Sequence, residues 1–277
     1  MIHLRSHIVP RTSALSNEEL RRRVPSVFAA KPIAGVSDRY TFLPTASILD
    51  GMRGNGWLPV EASEQRVKLD ARRGFQKHLL RFQRTEHIGT DLANRPEIVL
   101  LNSHDKSSAY QLHAGIFRLV CSNGMILADA TFEHISIKHY GFTPESVIEA
   151  SFRILDSVPQ LMGNVEAMQA RQLSSTERHA LAVGAVALKW EDPDKAPIRP
   201  EKLLESRRYD DEKSDLYTTL NVVQENLLRG GQKDYGHRNP RTLRPFPRTR
   251  GVRAIDENVK LNKALWHMAE ALRKGEI

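Results

Sequence analysis

The apolar residues of this chain change their spacing once, just after Phe142, and that change limits what it can fold into. Before that point, short apolar runs separated by turn residues read as strands. They are Trp57 to Ala62, Phe75 to Arg84 with His78, Leu80 and Phe82 on one face, and Glu97 to Asn102. Ile116 to Ser122 and Met125 to Ala128 flank Asn123-Gly124, whose tolerance of positive φ predicts a two-residue hairpin turn. Ile135, Ile137 and His139 close the strand region. Ahead of it, Pro44-Thr45 predicts a short helix over Ala46 to Met52 with Thr45 as its N-cap, stopped by Gly54 and Gly56.

After Phe142 the spacing is helical. Thr143-Pro144-Glu145 reads as an N-cap with proline at the first helical position. Val147, Ser151, Ile154, Val158, Leu161, Val165 and Met168 follow on one face, with a break expected near Ser157 because Pro159 lies in the run. Ser174-Ser175-Thr176-Glu177 has the form of a capping box and opens a second helix to about Trp190. Asp215 to Arg229 reads as a third helix, ended by Gly230-Gly231, and Asp256 to Lys274 as a last, amphipathic one. Between these two helices, the proline-containing stretch Gln232 to Arg253 reads as a loop. Strands first and helices after predict an α+β protein: a curved antiparallel sheet flanked by helices, followed by a helical C-terminal region. The expected division is a loosely packed N-terminal arm over 1–36, an α+β core over 37–172 and a helical region over 173–277.

Composition excludes some classes. The longest apolar stretch, Ala180 to Leu188, is far shorter than the roughly 20 residues of a membrane span. The N-terminus lacks the apolar core of a signal peptide. The single cysteine, Cys121, has no internal disulfide partner, and a cytoplasmic location is expected. Lys and Arg number 41 against 33 Asp and Glu, a net charge of +8. Arg229, Lys233, Arg238, Arg241, Arg244, Arg248, Arg250 and Arg253 face the single acid Asp234 within one segment. That segment carries +7, and the other 252 residues together carry +1. So local an excess points to a polyanion, with arginine forks on phosphates and Phe246 placed to stack on a base. The expected partner is nucleic acid, DNA first, bound through its backbone. A homo-oligomer and host or phage proteins are the further partners considered.

No catalytic motif emerges. Asn102, His104 and Asp105 stand at a strand end, where an acid/base or metal site is conceivable and an Asx or Ser turn is the plainer reading. Cys121 reads as a buried, inert thiol, and Trp57, Phe75, Phe82 and Tyr110 as core aromatics. His134 and His139 point to opposite faces of a strand and cannot share a metal. Gly51, Gly54 and Gly56 lack the spacing of a dinucleotide fingerprint. The expectation is a protein that is not an enzyme and takes no metal or cofactor.

Two segments carry a resemblance. Leu101 to Tyr110 running on to Phe117 to Gly124, and Ile255 to Trp266, together with Tyr40 to Val60, resemble the YfjQ/YafZ/YubP family of uncharacterised proteins carried by prophages and conjugative plasmids. The resemblance covers nearly the whole chain, implies a mobile-element setting and assigns no catalytic residue. The order of a helix, a Gly56-Trp57 lead into a strand, several strands and a long helix is also similar to the core of single-strand annealing proteins. The expected function is therefore an accessory protein of a mobile element that binds single-stranded DNA or anneals it. The alternative is an anti-defence protein that blocks a host nuclease or restriction complex; its DNA-mimic form is disfavoured by the basic charge.

Overall fold

The computed structural model describes residues 13–36, 40–119, 123–126, 135–137 and 144–276. The chain forms two compact units, whose described residues run up to Val158 in the first and from Pro159 onward in the second. Among the described residues no helix is long and apolar enough to cross a membrane.

The first unit carries α1 (Asn17–Arg23), α2 (Thr45–Gly54), β1 (Trp57–Glu64), β2 (His78–Arg84), β3 (Asn94–Asn102), β4 (Tyr110–Arg118), β5 (Asn123–Ile126), β6 (Ile135–Ile137) and α3 (Pro144–Asp156). The strands form an open antiparallel sheet in the order β1-β2-β3-β4-β5, with β6 also paired to β4. β5 lies beside Gly115 to Arg118 and β6 beside Tyr110 to Leu112. Register sets Leu80 opposite Leu100 and Phe82 opposite Ile98, all fully buried, so one face of the central strands is apolar core. Pro59, which cannot donate a ladder hydrogen bond, stands on the edge strand β1 beside a bulge at Val60. Trp57, Phe82 and Tyr110 are core residues, as expected.

The opposite face of β2 is polar and just as buried. Arg81 donates to Glu97 at 2.8 Å and to the Gly124 carbonyl at 2.8 Å, and Gln83 donates to Glu97 at 2.8 Å. This arrangement overturns the expected Asn123-Gly124 turn. Arg118 pairs with Asn123, so both residues stand inside the ladder at the start of β5. Gly124 does not have a positive φ; a Cβ there would collide with the Arg81 guanidinium, and the glycine serves that close approach.

The N-terminal segment is more tightly built than a loose arm. Ser16 and Glu19 form a reciprocal capping box at the start of α1, and Leu20, Val24 and Val27 are 0 % exposed. The Leu15 N–H donates to the Pro59 carbonyl at 2.7 Å, which ties this segment to β1.

The second unit is helical: α4 (Val158–Ala170), α5 (Ser175–Lys189), α6 (Leu216–Arg229) and α7 (Ile255–Lys274). α3 ends at Asp156 and α4 begins at Val158, which places the break at Ser157 where Pro159 predicts it. Ser174 and Glu177 form the expected capping box, and the Asp215 carboxylate caps α6 by accepting from the Thr218 N–H at 2.8 Å. α6 is buried from Leu216 to Leu227 and so carries polar side chains into the core, where each needs a partner. Gln224 donates to Asn262 at 2.7 Å, and Asn226 donates to the Leu203 carbonyl at 3.0 Å.

Side chains or positions of Cys121, Asn123, His134, His139 and Thr143 lie outside the described residues.

The packing of the N-terminal segment is open to a direct test. Leu20→Ala deletes a fully buried side chain and is expected to lower stability by about 2–5 kcal/mol, read from the urea midpoint. A loose arm would leave the midpoint unchanged.

Candidate functional site

Two clusters deserve comparison as sites, one buried and one exposed. The buried one includes the strand end Asn102 to Asp105. Thr45 is not the N-cap of α2: Pro44 holds that position, and Thr45 is buried in the first turn because its hydroxyl is engaged by β2 and β3. His78 Nδ1 lies 3.2 Å from the Gln76 carbonyl and must donate to it, so His78 Nε2 accepts from the Thr45 hydroxyl at 2.9 Å. The Thr45 oxygen then accepts from Asn102 Nδ2 at 2.9 Å and from His104 Nε2 at 3.2 Å. One hydroxyl thus uses its proton and both lone pairs. Burial pushes the His78 imidazole down to about 4, so it is neutral at physiological pH.

Asn102 is therefore a buried structural donor and not a turn former. The turn lies just beyond it: Asp105 accepts from the Ser107 N–H at 3.0 Å, with Lys106 at φ +68°. Asn102, His104 and His78 are fully buried, so a substrate has no approach to them. Among the described residues no group of three or more His, Cys, Asp or Glu side chains is placed to hold a metal ion.

The exposed cluster is the basic loop, which is hydrogen-bonded at its root and again toward its tip. At its root α6 ends on Gly230 (φ +65°), where a Cβ would stand 2.6 Å from the backbone of Arg250 and Gly251. A Cβ on Gly251 would stand 2.7 Å from the Arg229 carbonyl, so the two ends of the loop cross backbone to backbone and only glycine fits. Hydrogen bonds pin the crossing: Gly231 N–H to the Thr249 carbonyl at 2.8 Å, Thr249 N–H to Gln232 at 2.9 Å, and Val252 N–H to Leu228 at 2.8 Å. Lys189 adds a bond to the Arg250 carbonyl at 3.0 Å.

Further out, the only acid of the segment is fully committed. Asp234, buried, accepts from Arg199 Nε at 2.8 Å and Nη2 at 3.0 Å, and from the Gly236 N–H at 3.2 Å. The Arg199 side chain leads in holding this carboxyl down to about 2. His237 donates through Nε2 to the Ala196 carbonyl at 2.9 Å and stacks on Phe246 with ring centroids 5.1 Å apart. One face of Phe246 is thus already occupied, and the ring is half-buried.

The bases divide accordingly. Arg229 stands on the last turn of α6 and pairs at 2.7 Å with Glu225, a buried carboxylate that also holds Arg208. Lys233 lies over the exposed ring of Tyr235 at 4.9 Å. Arg238, Arg241, Arg244, Arg248, Arg250 and Arg253 are exposed, and among the described residues none of them, nor Lys233, is ion-paired. Arg238 and Arg248 each give one N–H to a loop carbonyl, Leu243 and Gly231 respectively. Seven cations therefore share one anchored loop.

Sequence reasoning missed Arg199, Tyr235 and Leu243. Arg199 lies 35 residues before Asp234, and the only signal for it was a lone acid among eight bases, which needs a partner. Tyr235 and Leu243, the latter 70 % exposed, were legible only as apolar letters among arginines.

An open antiparallel sheet unit and a helical unit that bears an anchored basic loop define an α+β protein with a candidate polyanion-binding surface. Comparison with known proteins places it further: residues 32–266 match the family described as "Domain of unknown function (DUF932)", and the chain belongs to that family. It is 39 % identical over 267 residues to the UPF0380 proteins YafZ and YfjQ of Escherichia coli (strain K12), covering 96 % of this chain and 94 % of each relative. No solved structure matches it.

Two measurements check this geometry. His78 is neutral in the folded state down to about pH 4, whereas an unfolded histidine takes up its proton near 6.5. The stability that His78 contributes above pH 6.5 is therefore lost as pH falls toward 4, by about 3 kcal/mol. Urea midpoints across that range should show this loss, and His78→Gln should flatten it. Arg199→Ala should release Asp234 and admit protease within residues 232–248, while the helical circular dichroism stays at the parent level.

Proposed function

We propose that this protein binds nucleic acid through the phosphate backbone, with residues 230–253 as the contact element. The reading rests on seven bases that have no ion-pair partner among the described residues, held on a loop whose sole carboxylate is buried against Arg199. An arginine already saturated by a carboxylate has little left for phosphate. Arg238 and Arg248 each give one N–H to a loop carbonyl and keep the rest of the fork for phosphate, and Arg241, Arg244, Arg250 and Arg253 are exposed for bidentate contact. The loop is pinned at its root, so binding costs little ordering entropy. The exposed Tyr235 and the half-buried Phe246 supply π-surfaces of the kind that hold single strands without sequence preference.

Single-stranded DNA is the substrate we favour, bound without metal or nucleotide and without chemical turnover. The mobile-element setting and an annealing role are part of the same proposal and rest on the resemblance of the sequence alone.

Affinity for a labelled single strand should fall steeply with salt, with a log–log slope of roughly −0.7 per phosphate contacted. Replacing Arg241, Arg244, Arg248 and Arg250 together by Ala should weaken binding to all sequences alike and flatten that slope by about 2–3 units. Lysines at the same positions should restore part of the loss, because charge returns but the planar fork does not. A four-alanine protein that binds like its parent, or a parent that does not bind at low salt, sinks the proposal and brings forward a protein partner.

A further inference from the structure

The tip of the loop presents a residue that neither core packing nor phosphate binding explains. Leu243 is 70 % exposed and adopts φ +56°, a left-handed conformation that glycine or asparagine takes more cheaply than a leucine. The turn that holds it is closely bonded. The Asn239 side chain accepts from the N–H groups of Arg241 at 2.9 Å and Thr242 at 3.2 Å, and Pro240 presets the turn. The Leu243 N–H donates to the Asn239 carbonyl at 2.8 Å, and the Asn239 N–H donates to Arg244 at 2.9 Å. Arg238 donates to the Leu243 carbonyl at 3.0 Å, and Arg238 bridges to Pro245 across the base of the tip. The result is one helical turn ended by a left-handed residue, a position where glycine is usual. Here it carries an isobutyl group into solvent between Arg241 and Arg244, both exposed.

We propose that Leu243 is a wedge that parts neighbouring bases of the bound nucleic acid while Arg241 and Arg244 hold the flanking phosphates. This rests on the nucleic-acid reading above and deepens it. Apolar side chains beside basic groups are used in this way: they enter between adjacent bases and unstack them, and the separated bases bury the side chain. Leucine has no π-face, so it separates a stack where an aromatic ring would extend it. A rigid turn suits this task, because a wedge on a floppy tip folds back before it enters. The occupant must contain bases; a bare polyphosphate offers Leu243 nothing.

The test uses the full chain and an oligonucleotide carrying a fluorescent adenine analogue that brightens when unstacked, offered as a single strand and as a duplex. Leu243→Asn keeps the left-handed turn and removes the wedge, and Leu243→Met keeps an apolar tip. The parent should brighten the probe in at least one form. Leu243→Asn should lose that brightening and roughly fivefold in affinity for the oligonucleotide, with the salt slope and polyphosphate binding unchanged. Leu243→Met should retain the brightening. A parent that binds without brightening either form, or a Leu243→Asn protein that brightens it equally, overturns the wedge and leaves the backbone reading standing. A parent that fails to bind DNA at low salt overturns both.

Discussion

Seven like charges on one loop repel one another, and whatever holds that loop in shape must work against them. The structure answers mainly with neutral contacts. The crossing of Gly230 and Gly251 brings backbone against backbone, and the hydrogen bonds around it involve groups whose strength is indifferent to the charges further out. The ion pair that fixes the loop among the described residues, Arg199 with Asp234, takes its cation from outside the basic segment, so it does not draw on the loop's own arginines. A carboxylate inside the cluster that paired with Arg241 or Arg244 would have rigidified the tip and disarmed it.

The sheet unit meets a different constraint. Its central strands β2, β3 and β4 are buried on both faces, and one face of β2 carries Arg81 and Gln83. A buried charge is tolerable only when paired and hydrogen-bonded. Glu97 and the Gly124 carbonyl supply the partners, and glycine at 124 is what leaves room for the guanidinium. On the other side, Thr45 ties α2 to β2 and β3 through one hydroxyl. Such networks favour one register, since a slip of one residue would bury Arg81 where Leu80 belongs.

What the sequence made legible was what depends on near neighbours. The capping box at Ser174, the break before Pro159 and the glycine stop of α6 are local chemistry, and each is found where the residues place it. The α+β class followed from periodicity. Two of the misreadings concern residues whose role is set from far along the chain. Thr45 has the chemistry of a cap, but histidines 33 and 59 residues away claim its hydroxyl. Asn123-Gly124 is a good turn pair, yet Arg81, 43 residues earlier, needs that glycine inside a strand. The first helix was missed because Leu20, Val24 and Val27 span too short a run to register as a period. Of the candidate site, the basic residues were legible as composition, whereas the division between Arg229, paired with Glu225, and loop cations with no ion pair among the described residues exists only in three dimensions.

The crossing at Gly230 and Gly251 has a consequence for how such a chain diversifies. Because the segment leaves and rejoins the helical unit at one point, and Asp234 and His237 fasten it again to Arg199 and Ala196, the residues beyond those contacts, 238–248, behave as a cassette. Insertions, deletions or replacement within residues 238–248 change the closure entropy only slowly with length and leave α6 and α7 where they are. Selection on what the loop contacts is thereby uncoupled from selection on the scaffold. Variation between relatives should concentrate inside the ring, and the two glycines that close it should be the positions that drift least.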